Sequence, residues 1–230
     1  MMKRFLTARN FRFFVVTCFA FACIYLVILL FAPHIEPPLG LFATDDFGHA
    51  VQLYFYLSAI FVLYWPEIFA KITRFKISDA MLAMYVSFIF LALVLGEILD
   101  FYTHFVYWDF FLHFISGIIL GTLGFAILHN AQRNAKTKMG AGVTAVFAFA
   151  FSMAGGKIWE IYEFTIDSLL GINTQQWADA YGVPLVGQAA LHNTMWDMIF
   201  NMIGAILVAV WGYKRIKREG WPKGLQITKK

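Results

Sequence analysis

Acidic residues and histidines recur at helical spacing within the apolar part of this chain, where ionisable side chains are costly. Asp109 and His113 lie four residues apart, and Glu160 and Glu163 lie three apart. These spacings place each pair on one face of a helix. Carboxylates and imidazoles are ligands of Zn²⁺ and similar divalent metals, and they also relay protons. The predicted chemistry is therefore metal binding or acid–base catalysis.

Several helix ends carry such polar residues, and together they form one candidate site. The candidate catalytic residues are His113, Glu160 and Glu163. The candidate pocket residues are Asp109, Asp197, Asn201, Lys157 and His49. The candidate metal ligands are His113, Glu160, Glu163 and Asp197. A divalent metal is thus the cofactor that these residues allow, with Asp109 expected to orient His113.

Each candidate also has a purely structural explanation. Asp109 can hold His113 through a hydrogen bond, and His49 can pair with an acid at the start of its own helix. Lys157, three residues before Glu160, can form an ion pair with it. The sequence leaves these explanations open beside the functional ones.

The elements that position these residues are membrane-spanning helices. Of the 230 residues, 60% are hydrophobic and 14% are charged, whereas soluble domains carry about 25% charged residues. Spans of about 20 residues cross a bilayer. We predict an all-α, polytopic bundle of six transmembrane helices forming one membrane domain, 1–230. The predicted spans are residues 12–32, 48–70, 79–99, 109–129, 141–161 and 195–213.

Basic residues predict the orientation of the bundle. Apart from Lys157, every Lys and Arg lies in the terminal segments or in the segments 71–78 and 130–140. Basic residues stay on the cytoplasmic side, so both termini are predicted to be cytoplasmic, in a bacterial inner membrane. The acids and histidines of the site then face outward, beside a long outward loop, 162–194.

The lipid bilayer is the predicted partner of this chain. The net charge of +4 is not a nucleic-acid signal, because basic residues beside membrane spans are explained by orientation and by anionic lipid. A lipid-linked substrate fits a site at this depth, and the oligomeric state is left open.

Three sequence segments carry a family resemblance. They are D-F-F-L-H-F-I-S-G from Asp109, W-E-I-Y-E from Trp159, and T-M-W-D-M-I-F-N-M-I-G-A from Thr194. In this order they resemble the YjdF-type bacterial inner-membrane proteins and are more distantly similar to VanZ-like proteins. The resemblance implies that the family's polar residues are Asp109, His113, Glu160, Glu163, Asp197 and Asn201. It implies no activity. VanZ-like proteins are associated with lipoglycopeptide resistance, but this chain lacks the Arg they usually show between the Glu and the final Asp.

Three classes of function remain. The first is an outward-facing acid/His site that binds a divalent metal and acts on a lipid-linked or envelope substrate. The second is a small ion- or proton-coupled transporter, and the third is a non-catalytic assembly or partner protein. The cytoplasmic halves of the spans contain almost no ionisable residues, which disfavours a path through the membrane.

Overall fold

Long helices make up nearly all of the chain in the computed structural model, which describes residues 7–32, 46–73, 75–135, 139–179, 182–219 and 228–229. Five helices are long and apolar enough to cross a membrane, or six if one bent pair forms a single span. This confirms the predicted all-α membrane bundle. The cytoplasmic placement of both termini stays a prediction, and residues 1–6 and 220–227, which carry part of the basic clusters, lie outside the described residues.

The described residues gather into two compact units, 1–108 with 227–230, and 109–226. The single membrane domain predicted for residues 1–230 therefore stays a prediction. The first unit contains α1 (Ala8–Phe31), α2 (Asp46–Leu63), α3 (Trp65–Thr73), α4 (Asp79–Ile89), a π-helical continuation (Phe90–Ile98), α5 (Phe101–His104), and the paired strands β1 (Phe75–Lys76) and β2 (Thr228–Lys229). Its core is formed by fully buried side chains such as Phe19, Leu26 and Leu63.

The second predicted span, 48–70, is not one straight helix. It is divided into α2 and α3, which are bent by 41°. Pro66 has no backbone N–H and cannot donate to the carbonyl of Val62, so the helical hydrogen-bond ladder is interrupted there. The freed carbonyl is used: the Tyr85 hydroxyl of α4 donates to Val62 O at 2.7 Å.

The second unit contains three long helices, α6 (Trp108–Ala135), α7 (Ala141–Leu170) and α8 (Gln188–Glu219). The predicted outward loop, 162–194, is wrong at both ends, because its first nine and last seven residues belong to α7 and α8. The amphipathic stretch from Phe164 to Leu170 continues α7. The helix ends only at Gly171, whose φ of 67° allows the left-handed cap. The connecting segment is 171–187.

Glycines bring the backbones of α6 and α8 into direct contact. A Cβ atom on Gly117 would overlap the carbonyl oxygen of Asn201, and one on Gly204 would overlap that of Phe114. Small residues allow such close approaches in membrane bundles. The hydroxyl of Ser152 on α7 donates to Gly117 O at 2.9 Å, which ties the third helix to this crossing.

Candidate functional site

The glycine crossing of α6 and α8 positions the site. His113 lies four residues before Gly117 on α6, and Asp197 lies four residues before Asn201 on α8. Because residues four apart lie on one helix face, both side chains lie one turn from the crossing and face each other. Asp197 is fully buried and His113 is 6% exposed.

His113 lies among three carboxylates from three helices. Its Nε2 is 3.7 Å from Asp109 Oδ1 and 3.8 Å from Asp197 Oδ1. Its Nδ1 is 3.8 Å from Glu160 Oε1 on α7. These distances exceed the roughly 2.7–3.2 Å of N–H···O hydrogen bonds. The imidazole is therefore surrounded by acids without being hydrogen-bonded to them.

The site contains buried acceptors that lack donors. Six buried oxygens of the site have no hydrogen-bond partner among the described residues: both carboxylate oxygens of Glu160 and of Asp197, and the amide oxygens of Asn193 and Asn201. Buried polar atoms are normally paired, because leaving them unpaired is costly. Since all six are acceptors, a cation or a group rich in donors would satisfy them.

Amides hold the acid at the open end of the site. Asp109 Oδ2 accepts from Gln176 Nε2 and from Asn193 Nδ2, each at 3.1 Å. These bonds turn Asp109 Oδ1 toward His113. Deeper in the unit, Asn201 Nδ2 donates to Ser116 Oγ at 3.2 Å.

Hydrogen bonds to Asp167 hold the connecting segment, 171–187, over the site. Its Oδ1 accepts from the backbone N–H of Thr174 at 2.8 Å and from the Thr174 hydroxyl at 2.6 Å. Its Oδ2 accepts from the N–H of Gln175 at 2.9 Å. Gln175 in turn donates to the Glu160 carbonyl at 3.3 Å and to Thr194 Oγ1 at 3.1 Å. Sequence reasoning missed both glutamines, because nothing in a polar loop sequence marks which amide reaches the helices.

Glu163 lies beside this group, one turn along α7 from Glu160. It is buried, and its Oε1 accepts from the Trp159 indole N–H at 2.8 Å. Lys157 is exposed, and its ammonium lies 3.7 Å from Met198 Sδ. Within the described chain, no ion pair joins Lys157 to Glu160. The structural explanation of Lys157 as an ion-pair partner of Glu160, which the sequence left open, is therefore not supported by the described residues.

His49 lies on α2, in the other compact unit, so the site in α6–α8 is described without it. Its ring is buried, and within the described residues neither nitrogen has a hydrogen-bond partner. Its predicted role as a pocket residue stays a prediction.

Three residues have the spacing of metal ligands, and they are not the four candidate ligands that the sequence suggested. Asp109, His113 and Asp197 each offer one atom within 4.8 Å of the others, whereas Glu160 and Glu163 lie outside this group. Ligand atoms about 2.0–2.2 Å from a tetrahedral metal are about 3.4 Å apart, close to the distances around His113 Nε2. Glu160 faces the other ring nitrogen, where metal-bound histidines usually meet a carboxylate. The roles of Glu160 and Glu163 as metal ligands stay predictions.

Comparisons with known proteins agree with a membrane protein and supply no activity. An uncharacterized protein of Thermotoga maritima is 31% identical over 151 residues, covering 65% of this chain and 70% of that protein. No solved structure matches. The naming as YjdF-type and the distant similarity to VanZ-like proteins stay predictions. A family model described as "Predicted membrane protein (DUF2238)" matches residues 14–218, and the chain belongs to this family.

Proposed function

We propose that this membrane protein binds a divalent metal ion through Asp109, His113 and Asp197, and acts on the headgroup of a lipid-linked or envelope substrate. The observation that carries the proposal is the environment of His113 Nε2. Two carboxylates lie 3.7 and 3.8 Å from it, too far for a hydrogen bond and close to the spacing of ligands around one metal.

The other residues take supporting roles in this proposal. Glu160 orients the His113 ring from its Nδ1 side, and Glu163 is the nearby acid–base group. Asn201 closes the inner end of the site, where its amide is bonded to Ser116. A divalent metal supplies charge stabilisation for a carbonyl or phosphoryl oxygen, or lowers the pKa of a bound water.

The interior of α6–α8 supports a one-sided site rather than a transport path. Residues 114–128, 145–156 and 202–212 contain no Asp, Glu, Lys, Arg or His. Close contacts there involve small or apolar residues, such as Gly121 with Val208 and Gly124 with Ala148. Ion and proton paths need polar groups through the membrane, and this interior offers no ionisable ones.

Metal analysis of the full-length protein tests the proposal. The protein is purified through a tag without histidine, offered Zn²⁺ or Mn²⁺, and analysed for bound metal per chain. We expect one ion in the unmodified protein and its loss in His113→Ala and Asp197→Asn. The matched control is His129→Ala, which removes a histidine from the other end of the same helix. Unmodified protein without metal, or ligand variants with full metal content, would refute the proposal.

A further inference from the structure

Gln176 has a backbone conformation that residues other than glycine rarely adopt. Its φ is 51°, in the left-handed region, where the Cβ atom crowds the following carbonyl oxygen. Among the described residues other than glycine, only Asp100 also has a positive φ. Strained backbone of this kind persists where the surrounding contacts hold it, and it is concentrated at catalytic and ligand-binding sites. The contacts of Gln176 should therefore show what the strain achieves.

The turn that carries Gln176 is held by the end of α7. The Gln176 N–H donates to the Asn173 carbonyl at 3.2 Å, which closes the turn. The two residues in between, Thr174 and Gln175, donate their backbone N–H groups to the two carboxylate oxygens of Asp167, at 2.8 and 2.9 Å. Asp167 is buried in the last turn of α7. The helix end thus fixes the position from which the Gln176 side chain extends.

The Gln176 side chain reaches one of the proposed metal ligands. Its Nε2 donates to Asp109 Oδ2 at 3.1 Å, whereas the other carboxylate oxygen, Oδ1, lies 3.7 Å from His113 Nε2. Asn193 of α8 donates to the same Oδ2. The Asp109 side chain is 16% exposed, so Gln176 occupies an acceptor position for which water would compete. Outer hydrogen bonds of this kind orient the carboxylates that bind metals.

We propose that Gln176 is a positioning residue of the metal site and couples metal binding to closure of the segment 171–187. This inference rests on the proposed function, because it assigns a regulation to the same site. In the closed segment, Asp109 presents Oδ1 to the ion while Gln176 holds Oδ2. If closure strengthens metal binding, bound metal must favour closure by the same factor. The metal then keeps the segment closed, and an open segment releases the metal more readily.

The Zn²⁺ affinity of full-length variants tests the positioning role. Gln176→Asn keeps a residue that tolerates a positive φ, but its amide is one methylene too short for Asp109. We expect its dissociation constant for Zn²⁺ to rise about tenfold, the lower end of the cost of losing an outer hydrogen bond, because Asn193 still donates to Asp109. Gln176→Gly, which also accepts a positive φ, should show the same loss. Asp179→Ala is the control: it removes the acceptor of the Val183 N–H in the same segment and should leave the dissociation constant unchanged.

Hydrogen exchange of the Thr174 and Gln175 backbone amides tests the coupling. In the unmodified protein, saturating Zn²⁺ should slow this exchange about tenfold, the factor that reciprocity requires. In Gln176→Asn, Zn²⁺ should slow it much less. Without metal, the variant should exchange no faster than the unmodified protein, because the hydrogen bonds to Asp167 remain and Asn relieves the strain. A residue that only stabilised the turn would change the metal-free exchange and leave the response to Zn²⁺ intact.

The outcomes separate this inference from the proposed function. Equal Zn²⁺ dissociation constants for the unmodified protein and Gln176→Asn, or an equal loss of affinity in Asp179→Ala, would overturn the inference and leave the proposed function standing. The same holds if Zn²⁺ slows the exchange equally in the unmodified protein and in Gln176→Asn, or if only one of the two Gln176 variants loses affinity. Unmodified protein that binds no metal would overturn the proposed function and this inference together.

Discussion

Replacing Asp197 with Asn should stabilise the protein without metal and destabilise it with metal. Asp197 is fully buried, and within the described residues neither carboxylate oxygen accepts a hydrogen bond. An unsatisfied buried polar group costs about 1–3 kcal/mol, and more when it is charged. Asn has nearly the same shape and no charge. The free energy of unfolding of the metal-free variant should therefore exceed that of the unmodified protein by about 1–3 kcal/mol.

Added metal should make the unmodified protein more stable than Asp197→Asn. A ligand at one hundred times its dissociation constant stabilises the folded state by about 2.7 kcal/mol, and the unmodified protein should gain this while Asp197→Asn gains little. The assay is thermal unfolding in detergent, with chelator and with added Zn²⁺. One kcal/mol corresponds to about 2–4 °C in Tm for a chain of this size, so the reversal is measurable.

Asp109→Asn is the matched comparison, because it changes an acid of the same group whose Oδ2 already accepts two amide hydrogen bonds. It should lower stability without metal, since replacing a bonded carboxylate weakens those bonds. A metal-free Asp197→Asn protein no more stable than the unmodified one would refute the reasoning. Equal stabilisation of the unmodified protein and of Asp197→Asn by Zn²⁺ would also refute it.

Three further predictions concern the frame of the site. Gly117→Val should separate α6 from α8, lower the free energy of unfolding by about 1–3 kcal/mol or more, and abolish metal binding. Gly142→Ala is the control, because Gly142 has open space around it, and this variant should keep both its stability and its metal. Equal metal content in the two variants would contradict this. Asp167→Ala should speed proteolysis within 171–187 several-fold, because it removes three hydrogen bonds to Thr174 and Gln175, and Ser168→Ala should leave the rate unchanged. Alkaline phosphatase inserted into 171–187 should be active in a bacterial cell, and an inactive fusion there, with an active one at the C-terminus, would refute the orientation.

The sequence was sufficient to predict the long helices but not the residues at which they end. Apolar length predicted the membrane-crossing helices, because hydropathy depends on composition alone, and five helices, or six with the bent pair, are long and apolar enough to cross. The predicted fifth span ended at residue 161, because about 20 residues suffice to cross a bilayer, so the stretch from Phe164 to Leu170 was assigned to the outward loop. In the structure Gly171, not the first polar residue, ends the helix, because the helical hydrogen-bond ladder continues until a residue adopts the left-handed conformation.

The sequence also predicted acids and a histidine that the structure brings together in α6–α8, but not which partner each of them faces. Spacing shows which side chains share one helix face, so Asp109 was expected to orient His113. Which carboxylate faces which ring nitrogen depends on how α6, α7 and α8 cross, and that depends on glycine contacts between helices. Gln175 and Gln176 could not be predicted, because the Asp167 hydrogen bonds that place them are formed in the folded loop.

The glycine crossing has a consequence for metal selectivity. At Gly117 and Gly204 backbone meets backbone, so no side chain there can change rotamer to let α6 and α8 separate. The separation of the backbones that carry His113 and Asp197 is therefore fixed by nearly incompressible contacts one turn away. Zn²⁺ takes four ligands, imidazole nitrogen among them, whereas Ca²⁺ takes six to eight oxygens. Because the two helices cannot shift to bring in further oxygens, two residues without side chains would favour the ion that needs fewer ligands.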